Sequence, residues 1–483
     1  MTNVWAKVVL KFFKYAPSYV VCLSFLPCGM IFGYTICAFV AERNLNAGLV
    51  YYGPLILGAC WAVVTALAML AVKFVKKCII YWQPWLLLAA GIFNLIASCF
   101  YFADGFDHVG AYISYVAHSM TFVAGYSFLH TISSKGSRAL FLSGSCSCYL
   151  LGVASAVSLI VSAYSRNVKQ LAGQSTVATT EQLIEGIYVN FAGTYLSVAA
   201  AVLAIVVGQK VLHFLGTVDL VNSLDNDLRI ANSNGSIFEK RSEVIKRLQF
   251  FYVTKNQQWN MMLLLLFTEA VQFALFVYYV YWFALNPAIR LTSEFSGIDA
   301  MFWVIFAGSL LALVCQWFFS VKVTFVGTQV ALLFFTLLAM ILCSVTESRW
   351  SLWLLLVLFG MAYSSQQIAL MEVTHLRFTE CIICVSYILK LVCTSIVYFY
   401  FVADAKNSYF YATDSSTLMA QGFVFLIITA LLALVVGMKV PRTHRAQLLE
   451  IQYEVYGIIF MKHQIEQLNV RWLNDGTIPT INQ

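Results

Sequence analysis

Residues 121–152 read TFVAGYSFLHTISSKGSRALFLSGSCSCYLLG. An apolar run carrying Thr121, Tyr126 and Ser127 ends in a short basic turn with Lys135. A second run, rich in Ser, Gly and Cys, starts at once from Arg138. Nothing in this pattern suits a soluble enzyme. It predicts two membrane helices joined by a tight turn, with small residues placed for close contact between helix backbones.

The rest of the chain has the same character. Of its 483 residues, 61% are hydrophobic and only 11% are charged, against about 25% charged in a soluble domain. The apolar residues fall into blocks of roughly twenty, the length that crosses about 30 Å of hydrocarbon as a helix. The net charge of +7 reflects orientation in a membrane and does not point to nucleic acid. The thirteen cysteines lie mostly inside apolar runs, where free Cys is a common packing residue. Lys7, Lys11 and Lys14 lead into a full-length span, so no cleavable signal peptide is expected.

Twelve spans are predicted, at 17–41, 48–72, 79–102, 109–131, 138–164, 187–214, 259–285, 298–321, 324–346, 350–372, 381–403 and 417–439. With the N-terminus placed in the cytosol, 22 of the 29 basic residues fall in cytosolic segments and six in outer loops, with Lys390 inside a span. This asymmetry follows the positive-inside rule and predicts that both termini are cytosolic. The expected organisation is a six-helix bundle (1–214), a cytosolic linker (215–258), a second six-helix bundle (259–440) and a cytosolic tail (441–483). Within the linker, SIFEKRSEVIKRLQFFYV (236–253) reads as a basic amphipathic helix, either lying in the membrane interface or docked against the bundles.

Six spans, a long cytosolic segment and six more spans is similar to the layout of the major facilitator superfamily. The fold class expected is therefore an all-α membrane protein with twelve transmembrane helices in two six-helix bundles. In that layout two bundles rock around a midplane site.

Ionisable groups at membrane depth are costly and point to function by default. Glu269 in span seven and Lys390 in span eleven each lie about ten residues past their cytosolic start, about 15 Å deep at 1.5 Å per residue. Two readings stand. The pair can close an ion pair inside the second half. Alternatively, Lys390 faces a central cavity and meets an anionic substrate, with Glu269 as counter-charge or as a proton-responsive carboxylate. His118 in span four sits near the midplane, as a packed, hydrogen-bonded residue or as a relay. Gln272, Gln316, Gln366, Gln367 and Asn94 suit interhelical hydrogen bonds, with Gln367 kept as a candidate substrate contact. The aromatic run Phe276, Tyr278, Tyr279, Tyr281, Trp282 suits an interfacial belt or a stacking surface. The serines 143, 145 and 147 are expected to pack with back-bonded hydroxyls. There is no phosphate-cradling Gly-x-x-x-x-Gly-Lys loop and no His-Glu-x-x-His, so neither an ATP-driven pump nor an enzyme is expected, and no cofactor or metal is implied.

Three patches resemble the reduced folate carrier family, which includes thiamine transporters. In Thr121–Gly152 these are Thr121-Phe122-Val123-Ala124-Gly125-Tyr126-Ser127-Phe128, then Ser137-Arg138-Ala139, Gly144 and Leu151-Gly152 at matching spacing. Phe295-Ser296-Gly297-Ile298-Asp299-Ala300 is similar to an element at the start of span eight, and Gln367-Ile368-Ala369 to one in span ten. The chain departs from the family where Phe122 replaces a span-four acid and where LSFLPCGMIFGY (23–34) stands in place of an Arg-Pro-Ser-Glu-Pro-Phe element. The resemblance implies uptake of a folate- or thiamine-like vitamin, coupled to an ion or a counter-anion, at the plasma membrane. It also implies a lysine in span eleven, which Lys390 could supply, and an arginine near the cavity entrance at Arg138. Membrane lipids and a small-molecule substrate, an organic anion or a vitamin, are the expected partners, and nucleic acid is not. The candidate substrate-binding set is Lys390, Tyr126, Gln367, Glu269, His118 and Arg138. Two further readings are a transporter-like receptor or scaffold that moves no solute, and a carrier of another organic anion.

Overall fold

The computed structural model describes residues 18–33, 67, 82–101, 107–132, 137–171, 256–285, 298–345, 350–374, 379–398 and 415–440. Ten helices account for nearly all of them, and no strand occurs among the described residues. They are α1 (Ser18–Gly33), α2 (Trp82–Tyr101), α3 (Asp107–Ile132), α4 (Arg138–Leu171), α5 (Asn256–Leu285), α6 (Ile298–Phe318), α7 (Val321–Val345), α8 (Trp350–Val373), α9 (Thr379–Tyr398) and α10 (Ser415–Lys439). The expected second and sixth spans, the amphipathic helix 236–253 and the tail 441–483 lie outside the described residues. The described helices fall on the other expected spans. Helix α4 runs past its expected end at residue 164, because residues 165–171 carry neither Gly nor Pro to stop it.

Seven helices, α4 to α10, are long and apolar enough to cross a membrane. Helix α3 is long enough, but its interior stripe of His118, Ser119, Thr121, Ser127 and His130 lowers its hydropathy, and all five are buried. Polarity inside and apolar residues outside is the arrangement hydrocarbon demands. On α7 the exposed side chains include Val323, Val330, Phe334, Leu337 and Ile341; on α10 they include Val424, Ile428, Leu431, Val435 and Met438. Their three-, four- and seven-residue spacing puts each set on one stripe.

Helix ends are capped locally. The Ser320 hydroxyl accepts a hydrogen bond from the Val323 amide (3.3 Å), which starts α7 two residues after α6 stops. The Lys322 ammonium donates to the Met438 carbonyl at the end of α10 (2.6 Å), placing a cation where the helix dipole is negative.

Two groups of helices follow each other along the chain, α1 to α4 and α5 to α10. In the first, α2 packs along α3, and α1 lies against α4. In the second, α5 packs on α9, α10 and α8, α6 on α8, and α7 on α8 and α10. The groups meet where α4 packs on α6 and α8, and where α3 packs on α9. The α1–α4 contact rests on glycine. A Cβ on Gly29 would overlap the Tyr149 carbonyl, and one on Gly152 would overlap the Leu26 carbonyl. The two backbones therefore touch, which gains dispersion contacts where the hydrophobic effect supplies none between helices in lipid.

A second device stitches the later helices. Gln272 on α5 donates to Gln329 on α7 (2.9 Å), and Gln366 on α8 donates to Gln272 (2.5 Å), all three being buried. The expectation of interhelical bonds for Gln272 and Gln366 holds. Changing Gln272 to Leu removes the shared partner, and an interhelical hydrogen bond in a membrane is worth about 0.6–2 kcal/mol. The unfolding midpoint of the purified protein should fall by a few degrees, and an unchanged midpoint would remove the triad from the stability of the fold.

Candidate functional site

Helical spacing brings the candidate residues to the interior. Glu269, Gln272, Phe273 and Phe276 share one side of α5, at i, i+3, i+4 and i+7. Ser386, Tyr387 and Lys390 share one side of α9 in the same way, and Tyr363 and Gln367 share one side of α8. These faces converge. The Lys390 ammonium lies 2.6 Å from Glu269 Oε1 and donates to Gln367 Oε1 at 2.7 Å. Ser386 donates to the other carboxylate oxygen, Oε2, at 2.9 Å. Lys390 and Glu269 are each only 1–2% exposed. Of the two readings left open by the sequence, the ion pair is the one present in this conformation.

The ammonium is also held over aromatic rings, 5.2 Å from the Tyr363 centroid and 5.9 Å from that of Phe273. Such contacts contribute about 0.5–2 kcal/mol, the upper end when desolvated. From Tyr363 the rings continue into the first group of helices. Tyr363 stacks on Tyr149 of α4 (6.0 Å, 26°), Tyr149 meets Phe122 of α3 edge-on (5.6 Å), and Phe122 lies 4.8 Å from Tyr387 of α9. His118 stacks on Phe122 (5.1 Å, 13°) and shares a hydrogen bond with the Tyr387 hydroxyl at 3.3 Å through Nδ1. His118 is therefore a packed, bonded residue that joins the two groups.

Tyr126 lies one turn further along α3 and does not touch Lys390 directly. Its hydroxyl shares a hydrogen bond with the Cys146 thiol of α4 (3.3 Å), and that thiol lies within the electrostatic reach of both Lys390 and Glu269. Lys390, Glu269, Gln367, Tyr126 and His118 thus belong to one contiguous region.

Arg138 does not. It opens α4, at the end of the molecule where α3 stops, and its Nη1 lies 3.8 Å from Oε1 of Glu372 near the end of α8. Both are buried. Beside them His130 of α3 shares a 3.5 Å hydrogen bond with Thr379, the first residue of α9. A charged pair and a polar pair therefore tie the two groups together at this end. Sequence reasoning missed Glu372 because it sits at the edge of an apolar run, where a charge reads as loop. The signal was present: an acid before the span ends, with an unpaired arginine at the start of another span.

Other expectations are corrected. Phe276, Tyr278 and Tyr279 are buried against Phe359 and Phe423. They are helix-packing residues and not an interfacial belt, since they face α8 and α10 and not lipid; the side chains of Tyr281 and Trp282 lie outside the described residues. Of the three serines on α4, Ser145 back-bonds to the Leu142 carbonyl (2.7 Å), whereas the buried hydroxyls of Ser143 and Ser147 find no partner among the described residues. Gln316, buried on α6, likewise makes no hydrogen bond there.

No family model matches this chain, and no curated protein matches it. Solved structures do. That of the proton:xylose symporter XylE, bound to 6-bromo-6-deoxy-D-glucose, is 12% identical, covers 92% of this chain and 99% of its own, and superposes with a TM-score of 0.63. That of the human organic anion transporter MFSD10 is 12% identical, covers 87% and 99%, and gives a TM-score of 0.52. At such identities a likeness speaks for architecture alone. It agrees with the helices and their packing: the chain is an all-α, multi-pass membrane protein with the major facilitator superfamily fold.

Proposed function

We propose that this chain is a secondary-active carrier that moves a small organic solute by alternating access, with the folate anion and the thiamine cation as the first substrates to test. The observation that carries this reading is the Lys390–Glu269–Gln367 cluster, buried at mid-depth beside rings contributed by both helix groups. A buried ion pair stabilises a fold poorly compared with apolar packing. A lysine that can exchange one carboxylate for another gives it a use. The aromatic faces suit a flat ring, and the ammonium suits the anionic end of a folate-like solute. Arg138–Glu372 and His130–Thr379 tie α4 to α8 and α3 to α9 at the end that charge expects to be cytosolic, which supports a conformation shut to the cytosol. The expected division at 215–258, the cytosolic termini and the plasma membrane belong to this reading.

Purified protein in proteoliposomes loaded with unlabelled folate or thiamine tests it. Counterflow accumulation of the matching tritiated vitamin is expected for one of the two. Binding without counterflow would favour a receptor that no longer transports, and neither binding nor counterflow would remove both vitamins.

The closure makes a separate prediction. In a background where the other twelve cysteines are replaced, Cys146 reports opening toward the cytosol. Arg138→Ala or Glu372→Ala should raise its labelling by a membrane-impermeant thiol reagent from the cytosolic side about tenfold, the equivalent of about 1.4 kcal/mol. Arg138→Glu combined with Glu372→Arg should bring the rate back toward the starting value. Equal rates in all variants would mean that the pair does not hold the cytosolic end shut.

A further inference from the structure

We propose that Gln316, with the hydroxyls of Ser143 and Ser147, is a binding subsite for a neutral ring edge of the carried solute, one that sets a hydrogen-bond donor beside an acceptor, as a lactam or an amino-substituted nitrogen heterocycle does. The inference rests on the carrier reading above. It adds to that reading the chemistry by which an uncharged part of the solute is recognised, by residues other than Lys390 and Glu269.

Gln316 continues a stripe on α6 with Ile305, Ser309 and Ala312, all four buried, at i, i+4, i+7 and i+11. This stripe packs on α8, where a Cβ on Gly360 would meet the Ile305 carbonyl and the Ser309 amide. Helix α7 returns between α6 and α8, so α6 and α8 run in one direction. Seven residues beyond the Ser309–Gly360 contact, Gln316 therefore stands level with Gln367, which holds the Lys390 ammonium. Helix α4 runs the opposite way, because its first residue, Arg138, pairs with Glu372 near the end of α8. Its anchor on α6 is Ser158, whose hydroxyl accepts from the Trp303 indole at 2.8 Å. Thirteen residues beyond Trp303 is Gln316, and thirteen before Ser158 is Ser145, flanked by Ser143 and Ser147. Ser143, Ser147, Ala154 and Ser158 share one stripe of α4, the one that meets α6. The three side chains thus come to one level of the junction of α4, α6 and α8.

Their lack of partners sets them apart. Gln316 is 4% exposed, and neither its carbonyl oxygen nor its amide nitrogen makes a hydrogen bond; the hydroxyls of Ser143 and Ser147 make none either. The other buried glutamines of these helices are engaged, Gln272 with Gln329 and Gln366, and Gln367 with Lys390. A buried polar group left unpaired destabilises a fold, and leucine at 316 would pack as well without that cost. Binding gives the amide a use. A primary amide sets a donor and an acceptor side by side in one plane, so a ring edge of the complementary pattern closes two hydrogen bonds with it. The serine hydroxyls both donate and accept, and so suit a polar atom of either kind beside that edge. A charged group fits less well, because the charged residues of α4, α6 and α8 lie toward the helix ends. The two serines belong to the first group of helices and Gln316 to the second, so a solute bonded to all three bridges the groups and leaves only when they part.

Saturation-transfer NMR of full-length protein in phosphatidylcholine nanodiscs, with isocytosine as an uncharged probe, tests the subsite without any transport. Wild type should transfer saturation to the probe ring, Gln316→Leu should lose most of that signal, and Ser143→Ala/Ser147→Ala should weaken it several-fold. The equally flat 1,3-dimethyluracil, which has no donor, should give little signal. No isocytosine signal from wild type, a signal that Gln316→Leu leaves unchanged, or an equal signal from 1,3-dimethyluracil would each overturn the proposal. Thermal unfolding without a ligand gives a second readout. Gln316→Leu should melt above wild type, and a lower midpoint would mean that the amide is bonded within the fold and not kept for a solute. Should Gln316→Leu fail to fold, the double serine variant decides, and an unchanged isocytosine signal there overturns the proposal. Counterflow of either vitamin with no isocytosine signal would sink the subsite and leave the carrier standing. An isocytosine signal that depends on Gln316, without counterflow of either vitamin, would sink the carrier reading for both vitamins and leave the subsite.

Discussion

Lys390→Ala is expected to lower the stability of the folded protein by about 3–5 kcal/mol and to abolish uptake of a folate-like anion. The magnitude is that of stripping one partner from a buried ion pair, which leaves an uncompensated charge. Glu269 would face a methyl group, and Gln367 Oε1 would lose its donor. A melting curve of the purified variant measures the first effect, and radiolabelled uptake measures the second. The two roles separate in a double variant. Lys390→Ala with Glu269→Ala removes both charges, and deleting both members of a buried pair is far less costly than deleting one. Stability should largely return while uptake stays absent. Uptake that survives in Lys390→Ala would take the lysine out of the site, and stability that does not return in the double variant would mean that the cost lies in lost packing around Phe273 and Tyr363.

Much of this arrangement is legible in the sequence, and for one reason: hydrocarbon tolerates few alternatives. A run of twenty apolar residues in lipid must be a helix, so α4 to α10 follow from counting. The midplane depth of Glu269 and Lys390 follows from the rise per residue, and their rarity in such surroundings marks them. What counting cannot supply is rotation about each helix axis and the choice of neighbours. Lys390 could have faced lipid, Gln367 or the cavity with equal right on spacing alone. Rotation is set by packing, and packing here depends on close-approach glycines and on aromatic rings whose partners lie more than a hundred residues away. His118 pairs with Tyr387 across 269 positions, and no local pattern announces that contact.

Phe122 shows the same limit from the other side. As a sequence position it reads as a departure, an aromatic residue where the family pattern that Thr121–Gly152 resembles has an acid. In the structure it sits among His118, Tyr126, Tyr149 and Tyr387, all within 5.6 Å between ring centroids. An acid there would be buried among rings, and the mid-depth cation among the described residues, Lys390, is already held by Glu269. With Phe122 in place, the charges at mid-depth come only from α5 and α9 among the described residues, and they cancel. Such a neutral pair can open to an incoming charge of either sign, Lys390 toward an anion and Glu269 toward a cation.

Gly152→Ala should destabilise the protein by about 1–3 kcal/mol, the usual cost of forcing an extra methyl into a tight contact, and Gly152→Leu should prevent folding. The added Cβ meets the carbonyl of Leu26 and the amide of Met30, which are backbone atoms and cannot rotate aside. Helices α1 and α4 would have to part, and the reciprocal contact of Gly29 with Tyr149 would open with them. Tyr149 carries the ring that stacks on Tyr363, so the damage should reach the central cluster as lower uptake per folded molecule. Gly327 provides the control. It lies mid-helix in α7, exposed, with nothing within 4 Å of the place its Cβ would occupy. Alanine there only removes backbone freedom from the unfolded chain and should raise stability by up to about 1 kcal/mol. The same substitution at two helical glycines is thus expected to shift the unfolding midpoint in opposite directions. Shifts of the same sign would show that glycine acts here through helix propensity alone, and that the α1–α4 contact is looser than the carbonyl overlap at Leu26 requires.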